Sequence, residues 1–150
     1  MKKMKNFPIR ITINNLQKKK KINLMLLKEK AYILEQYIPA NIKEISVNLI
    51  NDKKIIEVNK KFLNKKSHTD IISFKTDQTI DILISIDTAK KQAKEFNNSF
   101  EKEIFYLIIH GILHFSGYND YSINSRNKML KKQDIILKKI WDNTQTKKNE

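Results

Sequence analysis

The chain has no cysteine. A disulfide framework and every thiolate metal site are therefore excluded, and any ion must be held by His, Asp or Glu. No stretch approaches the roughly 20 uninterrupted apolar residues of a membrane helix. The basic start, MKKMKNFPIRITINN, has no apolar segment behind it and does not read as a secretory signal. A soluble cytoplasmic protein with no membrane partner is the expectation. Glycine is scarce. An average chain carries roughly 7%, whereas this one has 2 among 150 residues, Gly111 and Gly117. Both lie in one short segment, HGILHFSGYND. Where glycine is absent everywhere else, two in one window indicate a geometric need.

Arginine is scarce too. Of the 30 basic residues only Arg10 and Arg126 are Arg, and the net charge is +14. Such a surface attracts a polyanion such as RNA. A compositional drift towards Lys, Ile and Asn along the whole chain accounts for the same charge, so both explanations stand. The length of 150 residues fits one domain with a real core, residues 1–150, of which about 143–150 form a polar tail.

Phe7 to Ile13 alternates and predicts a first strand. The run Lys18 to Lys21 fits an exposed connection or an RNA patch. Apolar residues at helical spacing predict a helix over 22–38, ended by Pro39. Ile42 to Ile50 alternates as a second strand, with Ile45, Val47 and Leu49 on one side. Asp52 is the expected cap of a helix to about Phe62. After the polar loop LNKKSHT, Asp70 to Lys75 and Thr79 to Ile86 predict a hairpin. Asp87 is the expected cap of a helix through Phe96. Ser99 is the expected cap of a long apolar helix to about Phe115, which Gly117 terminates. A last helix is expected over 124–141. The order βαβαββααα indicates an α+β single domain, with helices packed on a small mixed β-sheet.

His110 and His114 are four residues apart on the long helix, a spacing that stacks both imidazoles on one face within reach of one ion. Gly111 between them disfavours the helix by about 1 kcal/mol relative to Ala, which close approach of another backbone, such as a sheet edge, would explain. Gly117 can take the left-handed conformation and reverse the chain, so that Asp120 returns towards the imidazoles at the end of this central helix. Two His and one carboxylate with an open fourth position is a known catalytic zinc arrangement. The spacing alone also fits two core histidines with satisfied hydrogen bonds, and Asp120 also fits a cap of the last helix.

The segment HGILHFSGYND resembles the H-G-x-L-H-x-x-G-Y-x-[HD] segment of the YbeY endoribonucleases. Thr69 to Phe74 in LNKKSHTDIISF is similar to the family's T-D-[VI]-[LI]-[ST]-F. TIDILISIDTAKKQA is similar to G-D-I-x-I-[SC]-x-[DE]-x-A-x-x-Q-A, with Asp81 as the matching acid and Ile80 in place of the Gly. NNSFEKEIFYLIIHG matches the run-up to the first His. Together these span Leu49 to Asp120. The resemblance implies a zinc-dependent, single-strand-specific endoribonuclease acting in 16S ribosomal RNA 3′-end maturation and ribosome quality control. It implies a cytoplasmic location and contact with ribosomal RNA and the small ribosomal subunit. It also implies one Zn²⁺ per chain, held by His110, His114 and Asp120. Many members have His at the position of Asp120, whose charge makes the ion a weaker Lewis acid than a three-His site would. Many have Arg at the position of Leu63, so the phosphate lacks a bidentate partner here. Lys65 and Lys66 are candidate RNA-binding substitutes.

The expected chemistry is polarisation of a phosphate oxygen by zinc, activation of a water, or both. Gly111 follows the first His, where H-E-x-x-H peptidases place Glu, which argues against peptide hydrolysis. It also leaves the general base open. Asp70 and Asp81 are candidates for it, and strand-end or solvent-face acids are the alternative for each. His68 fits an exposed loop position, Phe115 core packing, and Tyr118 either base stacking or turn packing. The rival function is a non-catalytic RNA-binding ribosome-assembly factor with a structural zinc.

Overall fold

The computed structural model describes residues 10–63, 69–118 and 121–142, with Leu63 described by its backbone only. Its elements follow the expected order: β1 (Ile11–Asn15), α1 (Leu24–Leu34) with a 3₁₀ turn (Glu35–Tyr37), β2 (Glu44–Ile50), α2 (Asp52–Leu63), β3 (Ile71–Thr76), β4 (Thr79–Ser85), α3 (Ile86–Glu95), α4 (Phe100–Leu113), and α5 (Ile123–Leu137) with a π turn (Lys138–Asp142). The residues expected to begin the first strand, Phe7 to Ile9, and the polar tail from 143 lie outside the described residues.

Period-2 alternation becomes matched rungs across the sheet. The strand order is β1-β2-β4-β3, with β1, β2 and β4 parallel and β3 antiparallel to β4. Register sets Ile11, Ile45 and Ile80 side by side, then Ile13, Val47 and Ile82, then Leu49 and Ile84. These residues form one core with Leu27 and Ala31 of α1 and with Ile104, Ile108 and Ile112 of α4. Burying one such side chain is worth about 1.5–3 kcal/mol. A slip of one residue would turn every rung to the other face, so packing fixes the register. On the opposite face, Ile55 and Val58 of α2 cover Ile50, Ile72, Phe74 and Leu83. The fold is therefore α+β, helices on both faces of a four-stranded mixed sheet.

Two capping expectations are corrected. Asn51, not Asp52, caps α2, accepting from the Lys54 amide at 2.9 Å. Ser85, not Asp87, caps α3, accepting from the Thr88 amide at 3.2 Å. The two acids lie further into their helices, Asp52 one position and Asp87 two positions past the cap, and tie the helices together instead. Asp87 accepts from the Asp52 amide at 2.7 Å, and Asp52 accepts from the Ser85 hydroxyl and, at 3.1 Å, from the Thr88 hydroxyl. The Ser99 cap holds as expected, accepting from the Lys102 amide at 3.1 Å.

Candidate metal centre

Helix α4 is apolar on nearly every side. It is the central helix, buried between the sheet and the other helices, and it carries His110 in its last turn. His114 follows as the C-cap with helical dihedrals (φ −56°, ψ −29°). Its amide donates to the His110 carbonyl at 3.0 Å. The four-residue spacing is thus a true helical turn, and the two half-buried imidazoles are offset by about 6 Å along the axis.

Gly111 faces the sheet. A Cβ there would lie 2.8 Å from Ile82 Cδ1, 3.2 Å from Ile82 Cγ1 and 3.3 Å from Ile71 Cδ1. The neighbours are side chains on the sheet's face rather than the backbone of its edge, because α4 lies across β4 and β3. Beyond His114 the helix ends in a Schellman turn. The Tyr118 amide donates to the Leu113 carbonyl at 3.3 Å, and Gly117 takes φ +94°. The Ser116 hydroxyl donates to the Ile112 carbonyl at 2.7 Å. Phe115 and Tyr118 pack against the main core, Phe115 with its ring edge-on to His114 at 5.0 Å between centroids.

His110 has a partner that sequence inspection did not find. Its Nδ1 lies 3.2 Å from Gln133 Oε1 on α5, and Gln133 Nε2 donates to the Tyr106 carbonyl at 3.2 Å. The signal was present in the sequence: Met129, Gln133 and Ile136 share one buried stripe of α5, and an amide in an apolar stripe needs a polar neighbour. A neutral ring whose Nδ1 donates to this amide oxygen would leave its lone pair on Nε2, the nitrogen a metal ion would take. A donor set of two imidazoles fits zinc and other borderline divalent ions.

A family model described as Endoribonuclease YbeY matches residues 8–141. The chain belongs to the YbeY family. An endoribonuclease YbeY from Endomicrobium trichonymphae is 42% identical over 105 residues, covering 67% of this chain and 74% of that one. An endoribonuclease YbeY from Petrotoga mobilis is 36% identical over 133 residues, covering 84% and 92%. The solution structure of TM1509 from Thermotoga maritima is similar with a TM-score of 0.64 and 29% identity, covering 91% of this chain and 93% of that one.

Of the ligand set that the YbeY resemblance implies, the described residues include His110 and His114, whereas Asp120 lies outside them. Among the described residues no three His, Cys, Asp or Glu gather as a metal cluster. The cap of α5 is Ser122, which accepts from the Ser125 amide at 3.1 Å, so that role is already filled. Lys65, Lys66 and His68 also lie outside the described residues, as does the side chain of Leu63.

Among the described residues, no hydrogen bond joins either candidate base to an imidazole. Asp81 alternates with Ile80 and Ile82, which face α4, so its carboxylate lies on the opposite face of the sheet. Asp70 is engaged at the start of β3, accepting from Gln92 of α3 at 3.2 Å and from the Thr69 hydroxyl at 3.5 Å. Near it sits Glu103, 2% exposed. Burial, and then the charge of Asp70, push the Glu103 carboxyl above its ordinary 4.5, against the Asn98 hydrogen bond that lowers it.

Proposed function

We propose that this chain is a metal-dependent endoribonuclease that cuts single-stranded RNA and holds one zinc ion through His110, His114 and Asp120. Its work is 16S ribosomal RNA 3′-end maturation and ribosome quality control, in the cytoplasm and in contact with the small ribosomal subunit. The observation that carries this reading is the His110 ring. Its Nδ1 is tied to Gln133, which leaves Nε2 as the ligand nitrogen one helical turn from His114. The relatives named as endoribonucleases support the reaction class.

A bound zinc ion supplies Lewis-acid polarisation of the scissile phosphodiester. The protein's own residues do the rest. Helix α4 holds two imidazoles without further ordering, Gln133 orients one of them, and the Gly117 turn reverses the chain after the second. The net charge of +14 draws the RNA backbone in, with Lys65 and Lys66 as the nearest substitutes in sequence for the Arg that many members carry at Leu63. Gly111 leaves the helix without the glutamate base of zinc peptidases, and the sheet behind it leaves no room for one.

A second reading, a non-catalytic assembly factor that binds RNA around a structural zinc, draws on Leu63 at that Arg position. One experiment separates the two. A single-stranded 16S 3′-end RNA is incubated with zinc and either wild type or His114→Ala, purified identically. Cleavage by wild type alone is expected. Equal cleavage by both proteins would sink the metal mechanism, and RNA binding with no cleavage by either would establish the second reading.

A further inference from the structure

On the reading that His110 ligates the ion, the geometry points to Gln133 as a positioning residue that fixes which nitrogen of His110 is offered to the metal. Gln133 is 1% exposed and lies between Met129 and Ile136 in the buried stripe of α5. An apolar residue would pack there without the penalty of burying an amide. The amide instead has both ends bonded, and the two bonds determine each other.

The Tyr106 carbonyl can only accept, so the amide nitrogen must face it. Flipping the amide would set two oxygens against each other. The amide oxygen therefore faces His110 Nδ1, and since that oxygen can only accept, Nδ1 must carry the proton. A neutral imidazole has one N–H, so the lone pair is left on Nε2. Tyr106 lies one turn before His110 on the same helix. Helix α4 thus braces its own ligand through a single side chain of α5, and both tautomer and ring rotation are set before any ion arrives. A carboxylate at 133 would still accept from Nδ1–H but would meet the Tyr106 carbonyl as a second acceptor. An aliphatic side chain would leave both tautomers open.

The test is ¹⁵N spectroscopy of His110 in the full-length chain, at a pH where the imidazole is neutral, first metal-free and then with zinc, combined with zinc affinity from chelator competition. Wild type is expected to show Nδ1–H alone in the metal-free state and to bind zinc through Nε2. Q133M, which keeps the side-chain length and removes both hydrogen bonds, is expected to show mixed tautomers and about 10–100-fold weaker zinc binding. Q133E is expected to restore the Nδ1–H tautomer. An Nε2–H ring in metal-free wild type overturns the inference, and needs no variant to fold. Unchanged tautomer and affinity in Q133M overturn it while the zinc site stands. A wild-type chain with the Nδ1–H ring that takes up no zinc overturns the metal reading itself, and Gln133's role towards the ion with it.

Discussion

Glu103 occupies the first turn of α4, 2% exposed, with the Asn98 amide at 3.4 Å as a hydrogen-bond donor to its carboxylate. Because burial and Asp70 raise its pKa in the folded state, the fold holds this proton more tightly than the unfolded chain does. The stability it contributes is fully present below the unfolded value of 4.5 and is lost as pH rises through the folded value. Glu103→Gln keeps an acceptor for Asn98 and removes the buried charge. Thermal melts from pH 4 to 8 should show the variant more stable than wild type at neutral pH, with the gap closing towards pH 4. A gap that widens on acidification would show that Glu103 is held as a carboxylate. The same scale explains what was legible at the site. His110 and His114 could be paired from sequence because one helix fixes their separation. Gln133 could not be paired with His110, because 23 residues and a chain reversal separate them and only the packing of α5 on α4 brings them together. Asp81 was a candidate base with a solvent-face acid as the alternative, and strand alternation sets it on the face of the sheet away from α4.

At the scale of elements, most of the fold was legible because β2 and β4 alternate along most of their length and the helices begin at Ser or Asn caps. The errors fell at junctions: an acid one or two positions after the true cap was preferred twice, since Asp, Asn and Ser compete for the same role in a sequence. The contact between α4 and β4 was legible only as a glycine without a reason. Its reason is Ile82, and this can be measured. Gly111→Ala gains about 1 kcal/mol of helix propensity but forces a methyl into contact with a fully buried Ile82 and with Ile71, at distances down to 2.8 Å. Overpacking of this kind costs about 1–3 kcal/mol, so a net loss near 1 kcal/mol is expected in denaturant unfolding. Ile82→Val removes Cδ1, the atom approached most closely. In that background Gly111→Ala should cost less, with a coupling of at least about 0.5 kcal/mol. Strict additivity would mean that the helix does not rest on Ile82.

For the molecule as a whole, charge separates a compositional habit from a working surface. Several lysines are already spent on the fold: Lys20 pairs with Asp87 at 3.1 Å, and Lys30, 3% exposed, donates to the Ile140 and Trp141 carbonyls at 3.4 Å beneath the Trp141 ring. The remainder are spread over all five α-helices, β3 and the connections, as drift towards Lys would leave them. If the surface nevertheless grips RNA, each phosphate it neutralises releases counterions, and log K falls with log salt at a slope of about −0.7 per phosphate for a single strand. Three such contacts weaken binding by more than about tenfold over a fourfold rise in salt. Fluorescence anisotropy of a labelled single-stranded RNA, titrated at several KCl concentrations, should therefore give a slope steeper than about −2. His114→Ala should give the same slope while losing cleavage, because grip and chemistry are carried by different residues. A slope near zero would leave the charge of +14 as composition alone, and RNA would have to be held by the metal and by groups around the Gly117 turn.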